Sequence, residues 1–338
     1  MKLTEHHSLK QMNTFGMDVR ARYYGEVQDT GSLQALFSGG QELPGPLLVL
    51  GGGSNVLFTG DFPGTVLRMR LQGRQVVETH PGQVVVEVMA GEDWDELVAW
   101  TVENGWGGLE NLSLIPGQAG TSPIQNIGAY GVELKDVFVS LTALEKSNAS
   151  LHTFSHADCR FGYRDSIFKR EARDRYIIVS IRLRLSTRDH NIQTGYGAIL
   201  QELKAMGVEQ PGIASVRQAV CNIRNSKLPD PKQTGNAGSF FKNPVVARDH
   251  FEKIQLNHPG VVAFPVDGGM KLAAGWLIEQ AGWKGYRKGD AGVHERQALV
   301  LVNHGNATGK EMIALARNIQ HSVQEKFGVA LEPEVNIL

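Results

Sequence analysis

Short apolar runs with strand-like or helix-like spacing alternate along the chain with glycine-rich and charged stretches. Leu47-Leu-Val-Leu50 predicts a strand that runs straight into Gly51-Gly-Gly-Ser-Asn55. Val84-Val-Val-Glu-Val-Met89 predicts another. From Asp93 onward, Trp94, Leu97, Val98 and Thr101 fall on one helical face, and Gly105 stops the helix. Residues 137–144 and 176–185 predict two more strands. In the second, Ile177, Val179, Ile181, Leu183 and Leu185 alternate with polar or less apolar partners, the pattern of a half-buried strand.

Around residues 206–215 the chain passes Gly207, Pro211 and Gly212, which predicts a domain boundary. The division expected is a first region over 1–207, with lobes at roughly 1–70 and 71–207, a second domain over 208–328, and a terminal strand over 329–338. Val216, Ala219, Val220 and Ile223 mark an amphipathic helix ending before Pro229, and residues 298–303 a strand. Thr308-Gly-Lys-Glu311 is a capping box for a long helix whose core face is Met312, Leu315, Ala316, Ile319, Val323 and Phe327. Gly328 stands at the C′ position. A last strand is expected at 329–331, before Glu332-Pro-Glu334. Strands and helices without regular βαβ alternation indicate an α+β fold rather than a parallel doubly wound sheet.

At 338 residues the chain favours two domains over one core. A net charge of −1 offers no global field for nucleic acid or an anionic membrane, so an anionic ligand must be held by local groups. Cys159 and Cys221 are too few and too far apart for a disulfide framework or a metal cage. The polar N-terminal stretch has no apolar core of a secretory signal, and no run is long enough to span a bilayer, so the cytoplasm is expected.

Familiar signatures fail in turn. Gly51-Gly-Gly-Ser-Asn-Val56 lacks the third glycine of a dinucleotide fingerprint, and Gly305-Asn-Ala-Thr-Gly-Lys310-Glu is too short for a P-loop. There is no G-x-S-x-G elbow, and His294-Glu295 lacks the second histidine of a zinc helix. What remains is chemically suggestive. Gly51-Gly-Gly-Ser-Asn55 after a strand is either an anion nest or a tight turn. Residues 116–131 carry four glycines, two prolines and uncharged polar side chains, a composition suited to a large polar ligand lying across the loop. Arg164, between Tyr163 and Asp165, can grip a carboxylate or form a surface ion pair. Lys227-Leu-Pro-Asp-Pro231 offers a cation in a stiffened turn, and Ser239 follows Gly238 and precedes Phe240 and Phe241.

These stretches, taken in order, resemble the UDP-N-acetylenolpyruvoylglucosamine reductase family. The matching pieces include Asn13-Thr-Phe-Gly16, Gly51-Gly-Gly-Ser-Asn-Val-Leu57, Gly107-Gly-Leu-Glu-Asn111, Ile115-Pro-Gly117 and Pro123-Ile-Gln-Asn-Ile-Gly-Ala-Tyr-Gly131. Cys159-Arg-Phe-Gly-Tyr-Arg-Asp-Ser166, Lys227-Leu-Pro-Asp-Pro231, Asn236-Ala-Gly-Ser-Phe-Phe-Lys-Asn-Pro244 and Leu331-Glu-Pro-Glu-Val335 continue the series. Together with Lys271-Leu-Ala-Ala-Gly-Trp-Leu-Ile-Glu279 and Gln297-Ala-Leu-Val-Leu-Val-Asn303 they cover nearly the whole chain. The resemblance implies an FAD-binding portion of the vanillyl-alcohol-oxidase (PCMH-like) type followed by a C-terminal α+β substrate-binding domain. It implies bound FAD, NADPH as co-substrate, and reduction of UDP-N-acetylglucosamine enolpyruvate to UDP-N-acetylmuramate for peptidoglycan.

By the same resemblance, Arg164, Ser239 and Glu334 are the expected catalytic residues. Arg164 would bind charge developing on the substrate carboxylate, helped by a protonated Glu334, while Ser239 donates the proton at carbon two. Gly51, Gly52, Gly53, Ser54, Asn55, Pro116, Gly117, Ser122, Gln125, Asn126, Gly128 and Gly131 are expected to hold the cofactor. Tyr130, Tyr163, Lys227, Asn243 and Gln297 would hold the substrate, with Tyr196 in Thr194-Gly-Tyr-Gly197 marking the subclass that has an extra loop. Asn336 departs from the family, which carries a basic residue near that place. A monomer without nucleic-acid, membrane or metal partners is expected. A flavin oxidase acting on an alcohol and a silent UDP-sugar sensor are the alternatives.

Overall fold

The computed structural model describes residues 2–39 and 43–338. It resolves into two compact units. The first comprises Arg22–Gly52 and Pro63–Ser226 with the residues up to His6; the second comprises His7–Ala21, Gly53–Phe62 and Lys227–Leu338.

The centre of the first unit is a five-stranded antiparallel sheet, ordered Leu151–Ser155, Phe138–Glu145, Tyr176–Ser186, Gln83–Met89, Arg74–His80. One face packs Val84, Val86, Val88, Ile181, Leu183 and Leu185 against Trp94, Leu97 and Val98 of the helix Trp94–Glu103. Asp93 caps that helix by accepting the N–H groups of Asp95 and Glu96. The alternation expected over residues 176–185 needs a correction. Ile177 and Val179 belong to a different apolar cluster, with Val27, Leu33, Leu67 and Met69. Thr142 pairs with Ser180 but Ala143 pairs with Ile178, so Val179 is an inserted residue. The bulge reverses which parity faces which side, and Ile177–Ile181 is buried on both. A second sheet joins Thr4–Ser8, Arg20–Val27, Phe62–Met69 and Leu47–Leu50, the last two parallel. Helices Gly197–Ala205 and Ile213–Lys227 pack through Ile199, Leu203, Val216, Ala219, Val220 and Ile223, with Tyr130 against them.

The second unit carries a four-stranded antiparallel sheet, ordered Gly235–Ser239, Val300–Asn303, Ala291–Val293, Arg287–Lys288. A three-stranded sheet holds Val245–Val246, Gly269–Leu272 and Ala263–Val266. The helix Gly309–Phe327 opens with the reciprocal Thr308–Glu311 capping box, and Gly328 closes it at φ 67°. All six expected core-face residues are buried. Gly309 is obligatory, because a Cβ there would collide with the Phe58 carbonyl. No strand forms at 329–331. Val329 and Leu331 are buried by packing alone, and the strand is Asn336–Ile337, parallel to Val56–Leu57.

Candidate active site

In the first unit the two glycine-rich stretches meet. A Cβ on Gly51 would stand 2.8 Å from Thr121 Cγ2 and 3.0 Å from Gln118 Oε1, and one on Gly52 would stand 3.3 Å from Gly117 Cα. Substitution at either position would therefore crowd the cradle. Gly117, at φ 133°, turns the second stretch; its carbonyl accepts from Trp94 N–H at 3.0 Å, and Gly120 N–H donates to Ala90 at 3.0 Å. Gln118 donates through Nε2 to the Met69 and Gly91 carbonyls at 3.2 and 3.0 Å. That uses both amide hydrogens and leaves Oε1 buried without a hydrogen-bond partner on the Gly51 side.

Ser122 and Asn126 are buried and serve the loop itself. Ser122 Oγ donates to the Ala119 carbonyl at 2.6 Å. Asn126 sits at φ 44° and donates to Glu133 Oε2 and the Gly162 carbonyl, both at 3.0 Å, while its Oδ1 accepts from Lys135 N–H at 3.1 Å. The bond to Gly162 joins the loop to the turn that carries Arg164. Arg164 occupies the left-handed region at φ 54°, a conformation costing of order 1–3 kcal/mol for such a residue. The bridge between Gly162 and Asp165 holds the turn. Arg164 Nη2 donates to the Gly128 carbonyl at 2.6 Å, and its guanidinium lies 5.6 Å from the ring of the exposed Tyr163. Gly131, at φ 83°, completes the loop.

Tyr130 packs edge-on against Tyr196, with ring centroids 5.5 Å apart. Burial raises the Tyr130 phenol above the usual tyrosine range. Asn111 holds the two segments in place by donating to the Tyr130 and Gln193 carbonyls at 3.2 and 2.9 Å. Composition and spacing gave Asn111 no role, since its work is to pair main-chain groups far apart in sequence.

In the second unit Gly53, at φ 65°, passes so close to Met12 that a Cβ would strike its carbonyl. Its own carbonyl accepts from Thr14 N–H at 3.0 Å. Ser54 and Asn55 follow; Asn55 Nδ2 donates to the Glu334 carbonyl at 3.3 Å, and Asn55 accepts from Asn336 N–H at 3.1 Å. The departure at Asn336 thus supplies a second bond to the same carbonyl, from Nδ2 at 2.9 Å.

Ser239 ends its strand exposed, without a hydrogen bond from its hydroxyl among the described residues. Glu334 N–H donates to Phe240 at 2.8 Å and Lys242 N–H to Glu332 at 2.9 Å, so the Ser239 and Glu334 segments run side by side. Asn236, buried, donates to the Pro229 and Thr234 carbonyls and accepts from Gly238 N–H. It ties the turn after Lys227 to the strand ending in Ser239. Asn243 Oδ1 accepts from Ala274 N–H at 3.0 Å. A Cβ on Gly275, in the short helix Ala274–Gln280, would stand 3.1 Å from Gln297 Oε1, so Gln297 lies against that helix. Lys227 is exposed at the end of Ile213–Lys227. Arg164, Tyr130, Tyr163 and Tyr196 lie in the first unit; Ser239, Glu334, Lys227, Asn243 and Gln297 lie in the second. A cleft of about 420 Å³ with His152, Phe154, Arg160 and Tyr176 in its lining contains none of them.

The cradle suits a dinucleotide. Side chains are absent where Gly51 and Gly52 approach Gly117 and Gln118, and a buried acceptor stands unpartnered beside them. No group of three metal-ligating side chains occurs among the described residues, and no helix there is long and apolar enough to cross a membrane.

Residues 22–155 match an FAD-binding domain, and residues 230–338 match the C-terminal domain of UDP-N-acetylenolpyruvoylglucosamine reductase. The reductase of that name from Pseudomonas putida is 53% identical over 334 residues, 98% of each chain. The one from Pseudomonas aeruginosa is 52% identical over 338 residues, covering 100% of this chain and 99% of the relative. Among solved structures, UDP-N-acetylenolpyruvylglucosamine reductase from Thermus caldophilus superposes with a TM-score of 0.69 at 25% identity, over 99% of this chain and 98% of that one. A solvent-stable cholesterol oxidase shares the fold at a TM-score of 0.51 and 11% identity, over 98% of this chain and 86% of its own. The fold expected from sequence, a vanillyl-alcohol-oxidase-type FAD portion with a C-terminal α+β domain, is borne out.

Proposed function

Because the chain belongs to the UDP-N-acetylenolpyruvoylglucosamine reductase family, we propose that Arg164, Ser239 and Glu334 carry its chemistry. The protein is an FAD-containing oxidoreductase of peptidoglycan precursor synthesis, reducing the enolpyruvyl UDP-sugar to UDP-N-acetylmuramate with NADPH as co-substrate. FAD, when bound, supplies hydride to the terminal methylene carbon of the enol ether. The residues that would hold it are Gly51, Gly52, Gly53, Ser54 and Asn55 with Pro116, Gly117, Gln125, Gly128 and Gly131. Ser122 and Asn126 shape the second loop from within, as their buried hydrogen bonds indicate.

Hydride addition drives electron density from the double bond toward carbon two and the carboxylate. Arg164 binds that carboxylate, its guanidinium pre-placed by the Gly128 carbonyl, so the cation meets charge that grows in the transition state. Glu334 donates a hydrogen bond to the same group. Ser239 gives its hydroxyl proton to carbon two, completing the addition of two hydrogens across the double bond. Serine is a weak acid, and a basic carbanion in a dry site accepts from one. Lys227 and Asn243 hold the diphosphate, while Tyr130, Tyr163, Tyr196 and Gln297 make other substrate contacts. The observation that supports this reading is the main-chain bond from Glu334 to Phe240, which ties the Glu334 segment to the one that carries Ser239. A cytoplasmic, monomeric enzyme without a nucleic-acid partner belongs to the same proposal, the last point supported by a net charge of −1.

Stopped-flow absorbance tests it. The purified protein is expected to be yellow, bleached by NADPH and recoloured by the enolpyruvyl UDP-sugar. Protein that yields no FAD on extraction, or that NADPH bleaches and substrate does not recolour, rules the reading out.

A further inference from the structure

Asp95 stands in the first turn of the helix Trp94–Glu103 and makes two connections with one carboxylate. Its Oδ1 accepts the main-chain N–H of Leu114 at 2.7 Å. The same oxygen accepts from Arg217 Nη1 at 2.6 Å, and Oδ2 accepts from Nη2 at 3.2 Å, so the pair with Arg217 is bidentate. The two side chains are only 26% and 19% exposed, and solvent screens such a pair far less than one at the open surface. Each connection leads to a different part of the candidate site. Leu114 occupies the left-handed region at φ 55°, where a leucine is uncommon and has to be held. Pro116 and Gly117 follow at once, and the Gly117 carbonyl accepts from Trp94 N–H of the same helix turn at 3.0 Å. On the other side of Leu114, the Trp94 indole donates to the Leu112 carbonyl at 3.0 Å. The start of this helix therefore grips the second glycine-rich stretch through both Trp94 and Asp95. Arg217, the other partner, lies on the helix Ile213–Lys227. Two turns further along the same face, Arg224 is hydrogen-bonded to Tyr130. The Tyr130 ring packs against this helix and the one before it, and edge-on against Tyr196.

We propose that Asp95 is a positioning residue of the reductase, a single carboxylate that sets the flavin loop directly at Leu114 and, through Arg217, the helix that backs Tyr130. The assignment rests on the reductase reading, in which Pro116 and Gly117 meet the flavin and Tyr130 meets the substrate. Asp95 acts through its partners on both. Removing one member of a pair this far from solvent leaves the other charge poorly compensated, so the helix Ile213–Lys227 loses its seat. Removing the carboxylate also frees the Leu114 turn, and only then is the flavin loop affected. The two arms are thus separable by which partner is replaced.

The test uses FAD-loaded protein, unsubstituted and as R217M, R217K, D95A, D95N and the double variant D95A/R217M. Two quantities are read. One is the rate of FAD release on dilution, followed by flavin fluorescence; the other is KM with kcat for the enolpyruvyl UDP-sugar. In R217M, Asp95 still holds Leu114, so KM is expected to rise about tenfold while FAD release and kcat stay within about twofold, a coupling usual within one ion-pair network. R217K recovers part of the loss in KM. In D95A both connections go, so the rise in KM is joined by FAD release about tenfold faster, and the double variant has the KM of D95A alone. A KM for R217M within about twofold of the unsubstituted value overturns the proposal, because the helix is then seated without the pair. FAD release equally fast in R217M and D95A overturns it too, since the loss is then a general loosening. Should D95A not fold, R217M and D95N, which both leave Leu114 an acceptor, decide by themselves: KM has to rise in both without faster FAD release. Unsubstituted protein that holds FAD but does not turn over the UDP-sugar counts against the reductase reading, and the contrast in FAD release between R217M and D95A judges Asp95 independently of it.

Discussion

Glu334 donates its main-chain N–H to the carbonyl of Phe240, 2.8 Å away, so the segment that carries Glu334 is tied by backbone alone to the residue that follows one proposed catalytic side chain. That side chain belongs to Ser239. Replacing either side chain leaves this bond intact, which makes conservative substitutions here informative about chemistry rather than folding.

Ser239→Ala is therefore expected to retain FAD, to keep its reduction by NADPH near normal, and to slow the substrate half-reaction by about 10²–10⁴-fold, the usual worth of a positioned proton donor. The two half-reactions measured separately by stopped flow decide it. A parallel fall in both contradicts the proton-donor role.

Gly53→Ala places a methyl against the Met12 carbonyl at a φ of 65°. Since the colliding atom is backbone, relief requires moving the His7–Ala21 stretch that Asn13 pins through Leu9 and Met17. The expected outcome is a lower melting temperature and under-occupancy with FAD, read from the ratio of flavin to protein absorbance. Gly60→Ala, at a position with open space, is the matched control and is expected to change neither.

Asn236→Leu keeps the bulk but removes the bonds to Pro229, Thr234 and Gly238. Leaving those half-buried main-chain groups unpaired costs at most about 1–3 kcal/mol each. Thermal unfolding is expected to shift down, and the KM for the UDP-sugar to rise as the turn after Lys227 loosens. An unchanged KM would detach Asn236 from substrate binding.

Cys159 is buried, and desolvation pushes its thiol up to about 12. Unfolded, it ionises near 8.5. Between those values the native state holds a proton that the unfolded state has released, so stability is full below the unfolded value and declines as pH rises toward 12. Tyr24, also raised to about 12 by burial, acts in the same direction. Melting temperature is expected to fall from pH 8 to pH 10.5, less steeply in Cys159→Ala. A thiol reagent at pH 8 is expected to spare Cys159 until the protein unfolds.

Local pattern sufficed where the determinant was local. Thr308, Glu311 and Gly328 announce their helix because both caps are written within the segment. The end of the chain was misread for the opposite reason. Val329 and Leu331 are apolar because they are packed, while Asn336 and Ile337 are exposed and become a strand by main-chain pairing with Val56 and Leu57. A partner so distant leaves no periodicity. The bulge at Val179 was hidden likewise, since a run of consecutive apolar residues fits either parity. Of the proposed site, Arg164, Ser239 and Glu334 are legible through their family motifs.

The second unit is collected from three stretches, His7–Ala21, Gly53–Phe62 and Lys227–Leu338. During synthesis the first two leave the ribosome long before the third. Phe58 must wait for Gly309 and Asn55 for Glu334, whereas Arg22–Gly52 and Pro63–Ser226 can assemble as soon as they emerge. A chain truncated near the start of Lys227–Leu338 would thus leave His7–Ala21 and Gly53–Phe62 without the stretch they pack with. No single cleavage of the gene yields either unit as an intact continuous fragment.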